Sequence, residues 1–145
     1  MSGNEPPELI QWREASRWPA KAEEDLAAAR LLIAGSLFDP AAFHVQQALE
    51  KALKALLIAA GRDMRRTHDL ETLLADVHQA WPSRISVPPT LAHVSEWYLR
   101  SRYPDLDELP PNPHEIDDAL LQIGALTEAV KALAPPTLRQ SGTSL

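Results

Sequence analysis

Cysteine is absent from the 145-residue chain, which excludes a disulfide framework, a thiolate metal site and thiol catalysis. No run approaches the roughly 20 apolar residues that a membrane-spanning helix requires. The opening MSGNEPPELIQWRE also lacks the charged-then-apolar order of a secretory signal. Together these absences predict a soluble, cytoplasmic protein with no membrane contact. No segment shows the alternating, β-branched pattern of a strand, and nothing repeats at solenoid periods. A Gly-rich phosphate loop, a Ser-centred nucleophile elbow and a His-Glu-x-x-His run are all missing. His44, His78, His93 and His114 fall on separate segments, so no metal site, no cofactor and no conventional hydrolase is expected. Positive charge is outweighed as well: 14 Lys and Arg against 20 Asp and Glu give a net charge of −6. The whole-molecule field therefore repels nucleic acid, DNA is not an expected partner, and any RNA contact needs a local basic patch.

What is present is helix-forming sequence, in a length that suits one domain able to bury roughly 68–70% of its unfolded surface. The organising stretch is Asp39 to Gly61, DPAAFHVQQALEKALKALLIAAG. Asp39 reads as an N-cap, Pro40 as the first helical residue and Gly61 as a left-handed C-terminal stop. On a helical wheel Ala48, Leu49, Ala52, Leu53, Leu56, Ala59 and Ala60 share a broad apolar face. Across from them gather His44, Gln46, Gln47, Glu50, Lys51 and Lys54. An arc this wide belongs to a central bundle helix with several neighbours, so its polar side is not expected to lie wholly in solvent.

The rest reads as helices around that rod. Residues 1–17 are expected as a loosely held arm, although Trp12 and Trp18 argue against full disorder. Helices are predicted over 18–35, 40–60, 68–81, 89–103 and 113–133, with Thr67 or Asp69 capping the third. In the first of these, Glu23, Glu24 and Asp25 cluster in the early turns, where the helix dipole favours negative charge. Asn112, Pro113 and Glu115 supply a cap, a first-turn proline and a carboxylate three residues after the cap for the last. The body spans 18–134, and residues 135–145 are expected as a disordered tail. The fold class is an all-α, antiparallel bundle of five helices.

Three stretches resemble the HEPN domain family: the run from Ala42 to Leu56 containing Gln46-Gln47-Ala48-Leu49-Glu50-Lys51, the run Thr67-His68-Asp69-Leu70 followed by Leu73-Leu74, and Trp97-Tyr98-Leu99-Arg100-Ser101-Arg102-Tyr103-Pro104-Asp105. The likeness extends from about Trp18 to Leu133. It implies a four- to five-helix bundle, frequent dimerisation and roles in nucleotide or RNA binding. Pairing with a small nucleotidyltransferase, sometimes as a toxin–antitoxin system, is implied too.

Candidate site residues follow from the chemistry of anions. Arg102 offers a planar fork for phosphate oxygens and Tyr103 a ring that stacks on a base or closes a pocket; their bland alternative is an Arg102–Glu50 pair and simple packing. Gln47, Glu50, Lys51 and Lys54 form a second surface, with Glu50 and Lys54 one helical turn apart. Arg62, Arg65 and Arg66 make the local basic patch, or else complement a helix dipole. The ribonuclease branch of the resembling family uses an Arg, four to six residues, then a His; Arg62 and His68 match that spacing but lie between the second and third helices, earlier than the family's usual pair. The main expectation is a dimeric nucleotide-, RNA- or partner-binding module. A metal-independent ribonuclease toxin and a purely structural interaction module are the alternatives.

Overall fold

The protein is described by a computed structural model over residues 7–62, 69–83, 85–97 and 111–136. It is all-α among the described residues, with helices α1 (Pro7–Ala15), α2 (Arg17–Ala34), α3 (Phe38–Ala59), α4 (Leu70–Ala80) and α5 (Pro113–Leu133). A 3₁₀ turn, Pro89–His93, precedes α5 and leads into helical residues 94–97. No strand occurs among the described residues.

The central rod is α3, about 33 Å long at 1.5 Å per residue. Fourteen of its 22 residues are buried, and Val45, Ala48, Leu49, Leu53, Ala55 and Leu56 are sealed completely. It packs against α1, α2, α4 and α5, which explains why its apolar arc is so wide. Its end follows the sequence closely. Gly61 has φ +73°, Gly61 N–H donates to the Ile58 carbonyl at 2.9 Å, and Arg62 N–H to the Leu57 carbonyl at 3.0 Å. These are the two bonds of a Schellman motif. A Cβ on Gly61 would meet the Gln11 amide nitrogen at 2.8 Å. Gly61→Ala is therefore expected to cost about 1–2 kcal/mol, chiefly from the left-handed backbone, as a lower midpoint in urea denaturation.

The start of α3 differs from expectation. The helix begins at Phe38 with Leu37 as N-cap and no side-chain cap bond. Asp39 lies inside the first turn, where its charge meets the dipole but caps nothing. The three-residue connection 35–37 fixes the reason: Leu37 N–H bonds back to the Leu32 carbonyl at 2.8 Å, and Ser36 takes φ 60°. Elsewhere the caps are local. Asp69 accepts from Glu71 N–H, and Asn112 and Glu115 form a reciprocal capping box. The expected 89–103 helix opens as a 3₁₀ turn instead, and residues 98–110 lie outside the described residues, as does most of the expected tail.

The arm expected to be loose is an ordered helix over 7–15. Trp12 and Ala15 are buried with Ala59 and Ala134 in a small second core that also takes in Ile58, Trp81 and Leu133. The rings of Trp12 and Trp81 sit 6.3 Å apart and tilted, and Trp81 Nε1–H donates to the Leu56 carbonyl at 2.8 Å. One aromatic anchor is enough, because a buried Trp removes a large apolar area from water. Its partners on α3, α4 and α5 are far along the chain, beyond any local pattern.

Candidate functional site: the polar seam of the central helix

The α2–α3 contact is where charge enters the bundle. Asp25, on α2, is buried, and both its oxygens are taken. Oδ1 sits 3.0 Å from His44 Nδ1, and Oδ2 accepts from the Lys51 ammonium. His44 and Lys51 are two turns apart on α3, so they share a face and straddle the carboxylate. The His44 ring meets the exposed Phe43 edge-on at 5.6 Å.

One turn beyond Lys51 the pattern continues. Lys54 and Glu50, 8% and 5% exposed, form an ion pair at 3.8 Å. Lys54 Nζ also lies 5.8 Å from the centre of the Trp18 ring, and Lys21 Nζ lies 5.7 Å from it. The indole thus draws a cation from each helix through its negative π-face. Gln46 is buried and donates from Nε2 to the carbonyls of Val94 at 3.1 Å and Ser95 at 3.3 Å. It pins α3 to the 89–97 segment, while its Oε1 has no hydrogen-bond partner among the described residues. Gln47 is half-buried.

Of the residues expected to bind a ligand, Glu50, Lys51 and Lys54 therefore stand together on one seam, and each holds a partner within the chain. Arg62 is exposed just past the end of α3. Arg65, Arg66, His68, Arg102 and Tyr103 lie outside the described residues. No group of three or more metal-ligating side chains occurs among the described residues, and no helix there is long and apolar enough to cross a membrane. Asp25, His44 and Gln46 belong to the seam although sequence reasoning does not single them out as site residues. By position alone Asp25 is indistinguishable from Glu23 and Glu24, acids of the same early turns. In the bundle the three diverge, because at about 100° per residue only Asp25 points at α3.

Glu23 turns to the other side and pairs with Lys131 of α5. The hydrogen bond to Glu23 raises the Lys131 pKa above its ordinary value, against a partial lowering by burial, with Glu128 adding to the rise.

A family model described as the HEPN domain matches residues 15–133. A protein of Methanocaldococcus jannaschii named "Putative toxin MJ1304" is 30% identical over 92 residues, which is 59% of this chain and 60% of that protein. The chain thus spans less than two thirds of that relative's length. The crystal structure of TT1696 from Thermus thermophilus matches with a TM-score of 0.63 at 28% identity, covering 81% of this chain and 96% of that one.

Proposed function

The chain belongs to the HEPN domain family, and from that premise we propose that it acts as a dimeric nucleotide- or RNA-binding module of a toxin-related system, working beside a small nucleotidyltransferase. The observation that supports this reading is the buried charge along the α2–α3 seam. Desolvating a charge can cost more than its pairing returns, and apolar side chains of similar size often serve a pure scaffold as well or better, so the burial of Asp25, Glu50 and Lys54 supports a role beyond scaffolding. Arg102 supplies the phosphate fork and Tyr103 the stacking ring. Gln47, Lys51 and Lys54, with Arg62, Arg65 and Arg66, shape the polar and positive surroundings.

ATP at about ten times its Kd stabilises a binder by about 1.4 kcal/mol, or roughly 5 °C in melting temperature for a domain of this size. Thermal melts are expected to show such a shift for the intact chain and none for Arg102→Ala, whose ligand-free melt stays unchanged. No shift of the intact chain at millimolar ATP overturns nucleotide binding, and a stable dimer without that response leaves a module for assembly alone.

The toxin name of the M. jannaschii relative and the Arg62–His68 spacing favour a second reading, a metal-independent ribonuclease toxin in which Arg62 holds the phosphate and His68 transfers the proton. Expression then arrests growth and degrades RNA, and both effects vanish in Arg62→Ala and in His68→Ala. Normal growth with intact RNA removes it.

A further inference from the structure

We propose that His44 is the general base of an RNA-cleaving centre, held in place by the buried carboxylate of Asp25 and separate from the Arg62–His68 pair, an assignment that rests on RNA binding as read above. The Asp25 carboxylate can only accept hydrogen bonds. Its Oδ1, 3.0 Å from Nδ1, therefore fixes the ring proton on Nδ1 and leaves the lone pair of the neutral imidazole on Nε2. Lys51 holds the other oxygen, so the carboxylate cannot turn away from the ring. Asp25 is 9% exposed, and little water competes for these bonds. The far edge of the ring is different. Nε2 has no hydrogen-bond partner, yet Gln46 Oε1 is the one buried, unpartnered side-chain polar atom among the described residues. Nε2 is therefore open to solvent. An outward lone pair on an imidazole steadied from behind by a carboxylate is the arrangement of a positioned base.

The surroundings of Nε2 suit a ribose phosphate. Phe43, next along the chain, is 41% exposed and offers a ring on which a base stacks. On the other side of Asp25 stand ammonium groups. Lys21 lies one turn before Asp25 on the same side of α2, and it meets the Trp18 ring but no carboxylate among the described residues. Asp25 meets Lys51, and Trp18 meets Lys54; the two helices thus run antiparallel, and Lys21 stands level with Lys51. A single strand laid along the seam sets a base on Phe43, its ribose at His44 and the following phosphate toward Lys51 and Lys21. Nε2 takes the proton of the 2′-hydroxyl, and the 2′-oxygen attacks the adjacent phosphorus as the bond from phosphorus to the 5′-oxygen breaks. The leaving oxygen recovers the proton from the imidazolium through water. The products are a 2′,3′-cyclic phosphate and a 5′-hydroxyl, with no other reactant consumed. DNA lacks the hydroxyl on which the step depends.

A single-stranded RNA oligonucleotide of mixed sequence, incubated with the full chain in EDTA, tests the centre. Mass spectrometry is expected to show 2′,3′-cyclic phosphate ends, with the all-deoxy strand left whole. His44→Gln is expected to lower kcat about 100-fold or more with an unchanged helical circular dichroism spectrum, whereas a change at the exposed His78 of α4, His78→Gln, leaves it unaltered. Asp25→Asn separates positioning from packing. An ammonium only donates, so Lys51 claims the amide oxygen and the amide N–H faces Nδ1, which drives the ring proton to Nε2 and removes the base. In the folded variant kcat should fall by a similar factor at unchanged KM, and nitrogen NMR of the His44 ring should show the proton moved from Nδ1 to Nε2. An unchanged kcat in either variant overturns the centre. So does cleavage that persists in His44→Gln and is lost in His68→Ala, which places proton transfer on the other pair. RNA that binds by fluorescence anisotropy but stays whole overturns this centre alone, and RNA that neither binds nor is cut overturns RNA binding with it.

Discussion

A Leu53→Ala chain is expected to lose about 3–4 kcal/mol of folding stability. Leu53 is completely buried in the C-terminal half of α3, inside the cluster that takes side chains from α2, α4, α5 and the 89–97 segment. Truncation forfeits the transfer free energy of the lost methyl and methylene groups and opens a cavity, and such Leu→Ala changes cost about 2–5 kcal/mol. The upper half of that range applies because a helix held by four neighbours cannot move in to fill the void. Against a total of about 5–15 kcal/mol, the melting temperature should fall by roughly 10 °C. Urea denaturation followed by helical circular dichroism checks it, with the midpoint lowered and the slope unchanged. A loss under about 1 kcal/mol would mean that α3 is peripheral.

Asp25→Ala is the second large effect, expected at about 2–3 kcal/mol. Removing one member of a fully buried ion pair costs about 3–5 kcal/mol, because the partner is left desolvated and unpaired. The lower figure follows from exposure, since the side chains of Lys51 and His44 remain 25% and 33% exposed and can turn to water. Asp25→Asn keeps the shape and one acceptor while removing the charge, so it should recover part of the loss. The same denaturation experiment reads all three chains. An Asp25→Ala midpoint equal to the parent's would show that the carboxylate contributes nothing to the α2–α3 contact.

The two substitutions differ in how well the sequence announces them. Leu53 lies on an apolar stripe repeating at helical spacing, and burial of such a stripe follows from local periodicity alone. The same holds for Gly61, whose freedom to take positive φ ends α3, and for Asn112 and Glu115, which cap α5 across three residues. It holds also for Glu50 and Lys54, one turn apart on one helix. In each case the interacting atoms are neighbours along the chain, so the covalent order dictates the contact.

Asp25 is different. Its partners stand 19 and 26 residues away, and nothing within its own helix separates it from Glu23 and Glu24. Only the packing of α2 on α3 turns one acid inward to His44 and Lys51 and sends another toward Lys131. The docking of α1 is of the same kind, since Trp12 finds Trp81 through the meeting of three helix ends. Asp39, a good cap by composition, is displaced from that role by the tight 35–37 turn, whose hydrogen bonds start the helix earlier. The all-α class, the central rod and its polar flank were thus legible in residue order, because helices are built from short-range bonds. Which charges on that flank meet each other waited on the bundle, because those contacts join residues that only tertiary packing brings together.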